Sequence, residues 1–380
     1  MIKVLFLIES LDGGGAEKIL ADLANHMDHS RFAVEIRTVT DGGVWARRVR
    51  EPVRLRSLLH TADARTGGPR ALWYKLRYHL LRRLPAGMAC RLFLRGRYDV
   101  VAAFCEGLVT RLAAAAPRRL GRKFAWVHTD HINNPHADAL FRHLKRHRRA
   151  YLSFDEVLCV SESVRKNFIE KFGALPRLSV QYNPVDIPDI IEKAAEPIEL
   201  PASEGPILLC VARLVPAKGV DRLLRAAREL KEADIPFALW IMGDGPRREE
   251  LEGLIAAFGL RDRVVLLGYR QNPYPFLRAA ALYASASYAE GFSTAATEAL
   301  VLGTPIVSTD CAGMREVLGE EPCGILTENS WEGFYRELRE LLLHPERIPP
   351  MEAAAARRAA RFSLEERVRE VEEKFIVHHI

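Results

Sequence analysis

Residues 2–27 read IKVLFLIESLDGGGAEKILADLANHM: a short apolar run (IKVLFLI), a glycine turn (DGGG), then apolar residues at helical spacing (AEKILADLANHM). Strand, tight turn and helix in that order open an α/β domain. Working outward, strand-like runs recur at AVEIRTV, DVVAAF, KFAWVH, EVLCVS and LSVQYN, separated by helical or basic stretches. That alternation predicts a parallel sheet with crossover helices. The pattern then starts afresh with PILLCVARL, FALWIMG, RVVLLG, AALYASAS, TPIVST and CGILT, interleaved with the helical segments VDRLLRAARELKEA, RREELEGLIAAFG and STAATEALVLG.

Between the two series, residues 183–206 (NPVDIPDIIEKAAEPIELPASEGP) replace periodicity with five prolines and several acids. The hinge is placed near Asn183 to Asp186. The expected domains are 1–185 and 186–363, with a closing amphipathic helix over about 364–380 that has no sheet of its own. Each half has the size of a nucleotide-binding α/β domain, and such open sheets bind ligands beyond the carboxyl ends of their strands. A site in the cleft between them is the corresponding expectation.

Length and composition agree with two domains: 380 residues, 48% apolar and 27% charged, exceed one ordinary core and are too apolar for disorder. The six cysteines are scattered without a C-x-x-C pair, which argues against a disulfide framework or a zinc knuckle and for a reducing cytoplasm. The run Val4 to Ile8 is cut short by Glu9 and followed by glycines rather than a cleavage site, and no stretch reaches the roughly 20 apolar residues of a spanning helix. Neither secretion nor membrane spanning is expected. The net charge of +6 hides an asymmetry: residues 1–180 hold 32 Lys and Arg against 17 Asp and Glu, the remainder 23 against 32. A basic half suits nucleic acid, an anionic membrane surface or a phosphorylated ligand, and charge alone does not choose.

Several motifs carry possible chemistry. Gly13 to Gly15 lie between a strand and a helix N-terminus, where free N–H groups and the helix dipole favour an anion. Their spacing is neither a dinucleotide fingerprint nor a phosphate loop, and a plain connecting turn fits them equally well. Arg213 and Lys218, in VARLVPAKGVD, follow a buried strand; two cations there can clamp a diphosphate and neutralise a leaving phosphate, although solvated surface charges read the same way. GDGP at Gly243 to Pro246 reads as a strand-to-helix turn in which Asp244 caps or orients.

The segment Glu290 to Glu298 (EGFSTAATE) says most. With Ser293 or Thr294 as N-cap, Glu290 lies in the loop and Glu298 about one turn inside the helix. Both carboxylates can accept paired hydroxyl hydrogen bonds from a ligand across the helix N-terminus. A lone Glu298 would otherwise read as helix-surface charge. His128 ends a strand and opens HTDHINNPH; it can donate to a sugar hydroxyl or move a proton, or simply pack the strand end. His128, Asp130, His131 and His136 also raise a metal site, but their spacing matches no recognised one. Pro69 to Arg97 holds eight Lys and Arg and no acid, with Leu72, Trp73, Leu76, Leu80, Leu81 and Leu84 near helical spacing; RHLKRHRR at Arg142 to Arg149 adds to it. A lipid-facing surface and a core-packed helix with a solvated outer face both fit.

In this order the motifs resemble the retaining glycosyltransferases of the GT-B fold, specifically the large family 4 that builds bacterial surface glycans. The resemblance is nearly whole-chain: DGGGAEK, WVHTDH, NPVD, VARLVPAKGVD, MGDGPRREEL, VVLLGY, EGFSTAATEALVLGTPIV and a closing helix. Glu290 and Glu298 fit the family's E-x7-E signature, preceded by R-x4-K.

The resemblance implies two Rossmann-like domains and a nucleotide diphosphate sugar, UDP-linked on family frequency, as donor substrate rather than cofactor. Arg213 and Lys218 would hold the donor diphosphate, Glu298 the ribose hydroxyls and Glu290 the transferred sugar. Backbone amides of Gly291, Phe292, Ser293 and Thr294 would lie near the phosphates. Gly14 and Gly15 would let the first loop approach the diphosphate, His128 would contact the sugar, and Gly268 and Tyr269 would border the base. No metal is expected. The acceptor would be a glycan or a lipid-linked glycan, with the basic domain toward the anionic inner face of the membrane, and nucleic acid is not an expected partner. A nucleotide-sugar epimerase, a phosphorylase or a non-catalytic nucleotide-sugar binder would share the architecture.

Overall fold

The computed structural model describes residues 1–61, 68–141, 143–201 and 204–376, with only the backbone of His136. The chain divides into two compact units, residues 1–184 with 364–380, and residues 185–363. The first holds a seven-stranded parallel sheet in the order β3-β2-β1-β4-β5-β6-β7. Its strands are β1 (Ile2–Ile8), β2 (Phe32–Thr40), β3 (Arg54–Leu59), β4 (Val100–Ala103), β5 (Arg122–Val127), β6 (Glu156–Cys159) and β7 (Leu178–Val180). The second holds six parallel strands in the order β10-β9-β8-β11-β12-β13: β8 (Ile207–Val211), β9 (Ala238–Met242), β10 (Val264–Gly268), β11 (Leu282–Ser285), β12 (Ile306–Thr309) and β13 (Gly324–Thr327).

Both sheets are doubly wound. The central strands read as unbroken apolar runs because helices cover both faces: Val4 to Ile8 and Val100 to Ala103 are almost wholly inaccessible. One strand has no counterpart among the runs that stand out in the sequence. β3 lies at the sheet edge, its Arg54, Leu55 and Arg56 are exposed, and it therefore carries no apolar run.

The helix Leu364–Ile376 packs on the first unit. Phe375 is fully buried, with ring centroids 5.0 Å from Phe124 and 6.1 Å from Phe6. Its polar contacts tie the same helix down: the Asp28 N–H donates to Glu372 at 2.6 Å, and Gln181 Nε2 to Glu370 at 3.0 Å. Residues 377–380 lie outside the described residues.

Candidate functional site

In each sheet the strand order reverses once, at β1/β4 and at β8/β11, so the loops leaving those paired strands turn to opposite faces and leave room between them. In the second unit this juxtaposition brings the loop after β8, with Arg213 and Lys218, against the loop after β11, with Glu290. Lys218 Nζ donates to both Glu290 carboxylate oxygens, at 2.7 and 2.6 Å. The Ser287 hydroxyl donates to Glu290 Oε1 at 2.7 Å, and the Thr309 hydroxyl in turn holds the Ser287 carbonyl at 2.6 Å. The Glu290 side chain is 8% exposed and that of Lys218 25%, so a half-buried ammonium closes over a buried carboxylate. Arg213 is exposed, and its guanidinium has no ion-pair partner among the described residues.

Ser293 caps the helix Thr294–Val301, its hydroxyl accepting from the Ala296 N–H at 3.3 Å. The first N–H groups of that helix therefore open beside Glu290 in sequence, with Gly291 and Phe292 between. Glu298 is not a surface charge: it is 6% exposed and accepts from the Tyr274 hydroxyl at 3.1 Å. At the end of β10, the Gly268 carbonyl accepts from the Gly243 N–H at 2.9 Å, which joins the GDGP turn to the exposed Tyr269. Burial pushes the Cys210 thiol up to about 12, which keeps it protonated and unreactive beside the ion pair.

Ser287 and Tyr274 did not stand out in the sequence. Ser287 precedes Glu290 by three residues and could be sought at that spacing, whereas Tyr274 is 24 residues from its partner and carries no local signal.

In the first unit, Gly14 is the N-cap of the helix Gly15–His26. A Cβ on Gly14 would come within 2.1 Å of Glu17 Oε2, so this helix start already holds its own carboxylate. Across the β1/β4 switch, Glu9 accepts from the Leu108 N–H at 3.2 Å, and Glu106 accepts from the Thr129 N–H at 2.6 Å. His128 stands at the end of β5 with its ring 5.1 Å from that of Phe104. Its Nε2 is buried with no hydrogen-bond partner among the described residues. Burial lowers its pKa to about 4, so the ring is neutral at pH 7.

The HTDH loop does not gather ligands. Asp130 accepts from the Ile132 and Asn133 N–H groups at 2.9 and 3.2 Å, while His131 Nε2 faces the Tyr151 hydroxyl at 3.1 Å. The His136 side chain lies outside the described residues. Among the described residues no three His, Cys, Asp or Glu side chains are grouped to hold a metal ion.

The helix Gly68–Arg83 buries Leu81 alone, and Leu72, Trp73 and Leu76 are exposed. Within the segment Pro69 to Arg97 the core-packed reading holds for Leu81, Ala89, Cys90 and Leu94 and not for Leu72, Trp73 and Leu76. Arg142, which opens the neighbouring basic cluster, lies outside the described residues. Among them no helix is long and apolar enough to cross a membrane.

His147 shares with His128 a depressed pKa of about 4, caused by burial: it stacks on Phe141 at 3.9 Å and meets Asp138 at 2.9 Å. Unfolded histidine titrates near 6.5, so the unfolded chain binds more protons between about pH 4 and 6.5. Stability is full above that window and falls as pH drops through it, by up to roughly 3 kcal/mol for each ring. Urea unfolding from pH 7.5 to 4.5 should show the decline, with a shallower slope in His147→Phe. Equal slopes would show that His147 does not carry it.

The doubly wound pair of parallel sheets is the GT-B architecture. Residues 13–188 match Glycosyltransferase Family 4 and residues 192–361 match Glycosyl transferases group 1, and the chain belongs to this glycosyltransferase family. It is 33% identical over 180 residues to the N-acetylgalactosamine-N,N'-diacetylbacillosaminyl-diphospho-undecaprenol 4-alpha-N-acetylgalactosaminyltransferase of Campylobacter jejuni, covering 47% of this chain and 48% of that protein. It is 28% identical over 146 residues to the lipopolysaccharide core biosynthesis glycosyltransferase LpsE of Rhizobium meliloti, covering 38% and 42%. The chain thus spans about half the length of the curated relatives it matches. In fold it is similar over 99% of its length to all of Anabaena HepE in complex with UDP and glucose, with a TM-score of 0.74 and 21% identity. The TarM structure from S. aureus gives a TM-score of 0.76 at 13% identity, covering 99% of this chain and all of that one.

Proposed function

We propose that the protein is a retaining, metal-independent glycosyltransferase that moves a hexose or N-acetylhexosamine from a UDP-linked donor to a glycan or lipid-linked acceptor of a bacterial surface polysaccharide. The observation that carries this reading is the Lys218–Glu290 ion pair beside the N-terminus of the helix Thr294–Val301. An ammonium, an exposed Arg213 and a helix N-terminus together suit a diphosphate, and a buried carboxylate suits sugar hydroxyls.

In this mechanism Arg213 and Lys218 hold the diphosphate and absorb the charge that develops as it leaves. The N–H groups from Gly291 to Thr294 add to that field. Glu298, held by Tyr274, takes the ribose hydroxyls; Gly268 and Tyr269 border the base. Glu290 orients the sugar, Gly14 and Gly15 give the first unit's loop its close backbone approach, and neutral His128 offers its unpartnered Nε2 to a sugar hydroxyl. The acceptor hydroxyl attacks from the face the diphosphate leaves, and the departing phosphate oxygen takes its proton, which retains configuration. No second carboxylate is given the role of a covalent nucleophile. The exposed helix Gly68–Arg83 lies against the anionic inner face of the membrane, a reading that fails if neutralising Arg82, Arg83, Arg91 and Arg95 leaves binding to phosphatidylglycerol vesicles unchanged.

The supporting relatives are a diphospho-undecaprenol-directed transferase and a lipopolysaccharide core transferase. The test is a thermal-shift panel of UDP, GDP, ADP and their sugar conjugates, with and without EDTA, because a ligand that binds only the folded chain raises its midpoint. UDP and one UDP-sugar should raise it equally in both conditions. A shift abolished by EDTA would end the metal-independent reading, and a shift from GDP alone would replace the base.

A further inference from the structure

The first unit contains a cavity whose lining differs in chemistry from the Lys218–Glu290 region. Of about 1040 Å³, it opens beside the helix Gly68–Arg83. Six cations line it: Lys75, Arg82 and Arg83 from that helix, Arg111 from Leu108–Ala114, and Arg146 and Arg149 from Leu144–Tyr151. No carboxylate among the described residues lines it. Arg111 is committed to structure, its guanidinium donating to the Arg82 and Leu84 carbonyls at the end of the basic helix. Arg82 donates to the Tyr78 hydroxyl at 3.2 Å. The charged ends of Lys75, Arg83, Arg146 and Arg149 have no ion-pair partner among the described residues.

Lys75 and Arg83 from one helix and Arg146 and Arg149 from another, converging on one concavity without a counter-ion among the described residues, repel each other and raise a positive potential there, which an anion of more than one charge relieves. The remaining walls are mostly apolar, apart from His79 and from Ser153, whose hydroxyl donates to the Ala114 and Ala150 carbonyls. Ala114, Ala115, Ala150 and Phe141 supply one side, and Tyr74 and Tyr78 another, their rings parallel within 6° at 6.2 Å. Two of the elements that contribute to the lining also carry exposed apolar side chains: the same helix exposes Leu72 and Trp73 by 70% and 60%, and the next helix, Ala86–Phe93, exposes Met88 and Leu92 by 52% and 54%.

We propose that this cavity binds the phosphate or diphosphate head of an amphiphile, whose hydrocarbon chain runs along the exposed Leu72, Trp73, Met88 and Leu92. Resting on the transferase reading, this makes it the site that anchors a lipid-linked acceptor. A nucleic acid would call for a track of cations following many phosphates, whereas these point into one pocket.

The experiment uses the full chain and three soluble probes, farnesyl diphosphate, inorganic pyrophosphate and farnesol, with binding followed by calorimetry. Farnesyl diphosphate should bind at least about tenfold tighter than pyrophosphate, and farnesol should not bind, since neither half of the site suffices alone. Arg146→Gln with Arg149→Gln should weaken farnesyl diphosphate by about tenfold or more. Arg118→Gln with Arg119→Gln, which removes the same charge from exposed positions outside the cavity, should change it less than about twofold. Lys75→Gln serves as a second cavity variant, and the UDP thermal shift is recorded throughout as a check on folding and on the donor site.

Equal losses from the two arginine pairs would overturn the proposal in favour of diffuse surface charge. Pyrophosphate binding as tightly as farnesyl diphosphate would overturn the amphiphile in favour of a free phosphate site. Displacement of farnesyl diphosphate by an equimolar single-stranded oligonucleotide would do the same in favour of a polyanion groove. An absent UDP response in the wild type would count against the transferase reading alone, because the cavity is scored on its own probes.

Discussion

Glu290→Ala is expected to slow release of UDP from the donor sugar by about a thousandfold or more, while UDP affinity changes by less than about tenfold. The two readouts separate because the carboxylate and the ammonium of this ion pair have different assignments. Glu290 is buried and holds Lys218 Nζ through both of its oxygens, so its removal takes away the proposed sugar contact and leaves the cation free for the diphosphate. Lys218→Ala does the reverse. It strands a carboxylate at 8% exposure next to the proposed phosphate position, so both UDP affinity and turnover should fall. Calorimetry with UDP and a coupled assay for UDP release check both variants. A Glu290→Ala protein that turns over at the normal rate would show that the ion pair is structural and that the sugar lies elsewhere.

Gly219→Ala is expected to cost about 3 kcal/mol or more of stability, lowering the midpoint of thermal unfolding by roughly 6 to 12 °C for a unit of this size. Gly219 follows Lys218 with φ at +58°, and a Cβ there would sit 2.0 Å from the Ala286 carbonyl oxygen. Backbone meets backbone at that point, so no side chain can swing aside. The same close approach seats the Lys218 loop against the strand end that carries Ser287 and Glu290, and forcing it open should lengthen the ion pair and depress activity as well. Gly253→Ala is the counter-case. Gly253 lies inside the helix Arg248–Ala257 with nothing within 4 Å of the added methyl, so alanine there should stabilise by roughly 0.5 to 1 kcal/mol. Differential scanning calorimetry on both variants tests the pair, and a midpoint for Gly219→Ala within about 2 °C of wild type would contradict the packing described.

The candidate site was unevenly legible in the sequence. Arg213, Lys218, Glu290 and Glu298 stand in motifs whose spacing already points to a diphosphate and to hydroxyls. What holds them does not. Tyr274 reaches Glu298 from the helix Tyr274–Ala279, and Ser287 fixes Glu290 from the strand end; neither residue type is unusual where it stands. Glu17 lying over Gly14 is a short-range contact that the DGGGAEK motif contains but does not disclose, because its meaning depends on where the helix starts.

The sequence by itself determined the α/β class and the central strands. Buried parallel strands must be apolar on both faces, so these features are written in composition and period, whereas the stretch 183–206, read as aperiodic, holds the helix Ile187–Ala194, capped by Asp186 and with Pro188 tolerated in its first turn. Only the tertiary structure decided the edge strand β3, the burial of Glu298, and the exposure of Leu72, Trp73 and Leu76 with the cation-lined cavity beside them. Those depend on which neighbour covers a residue. Coverage is set by strand order and by contacts between residues far apart in the chain, and local spacing does not encode it.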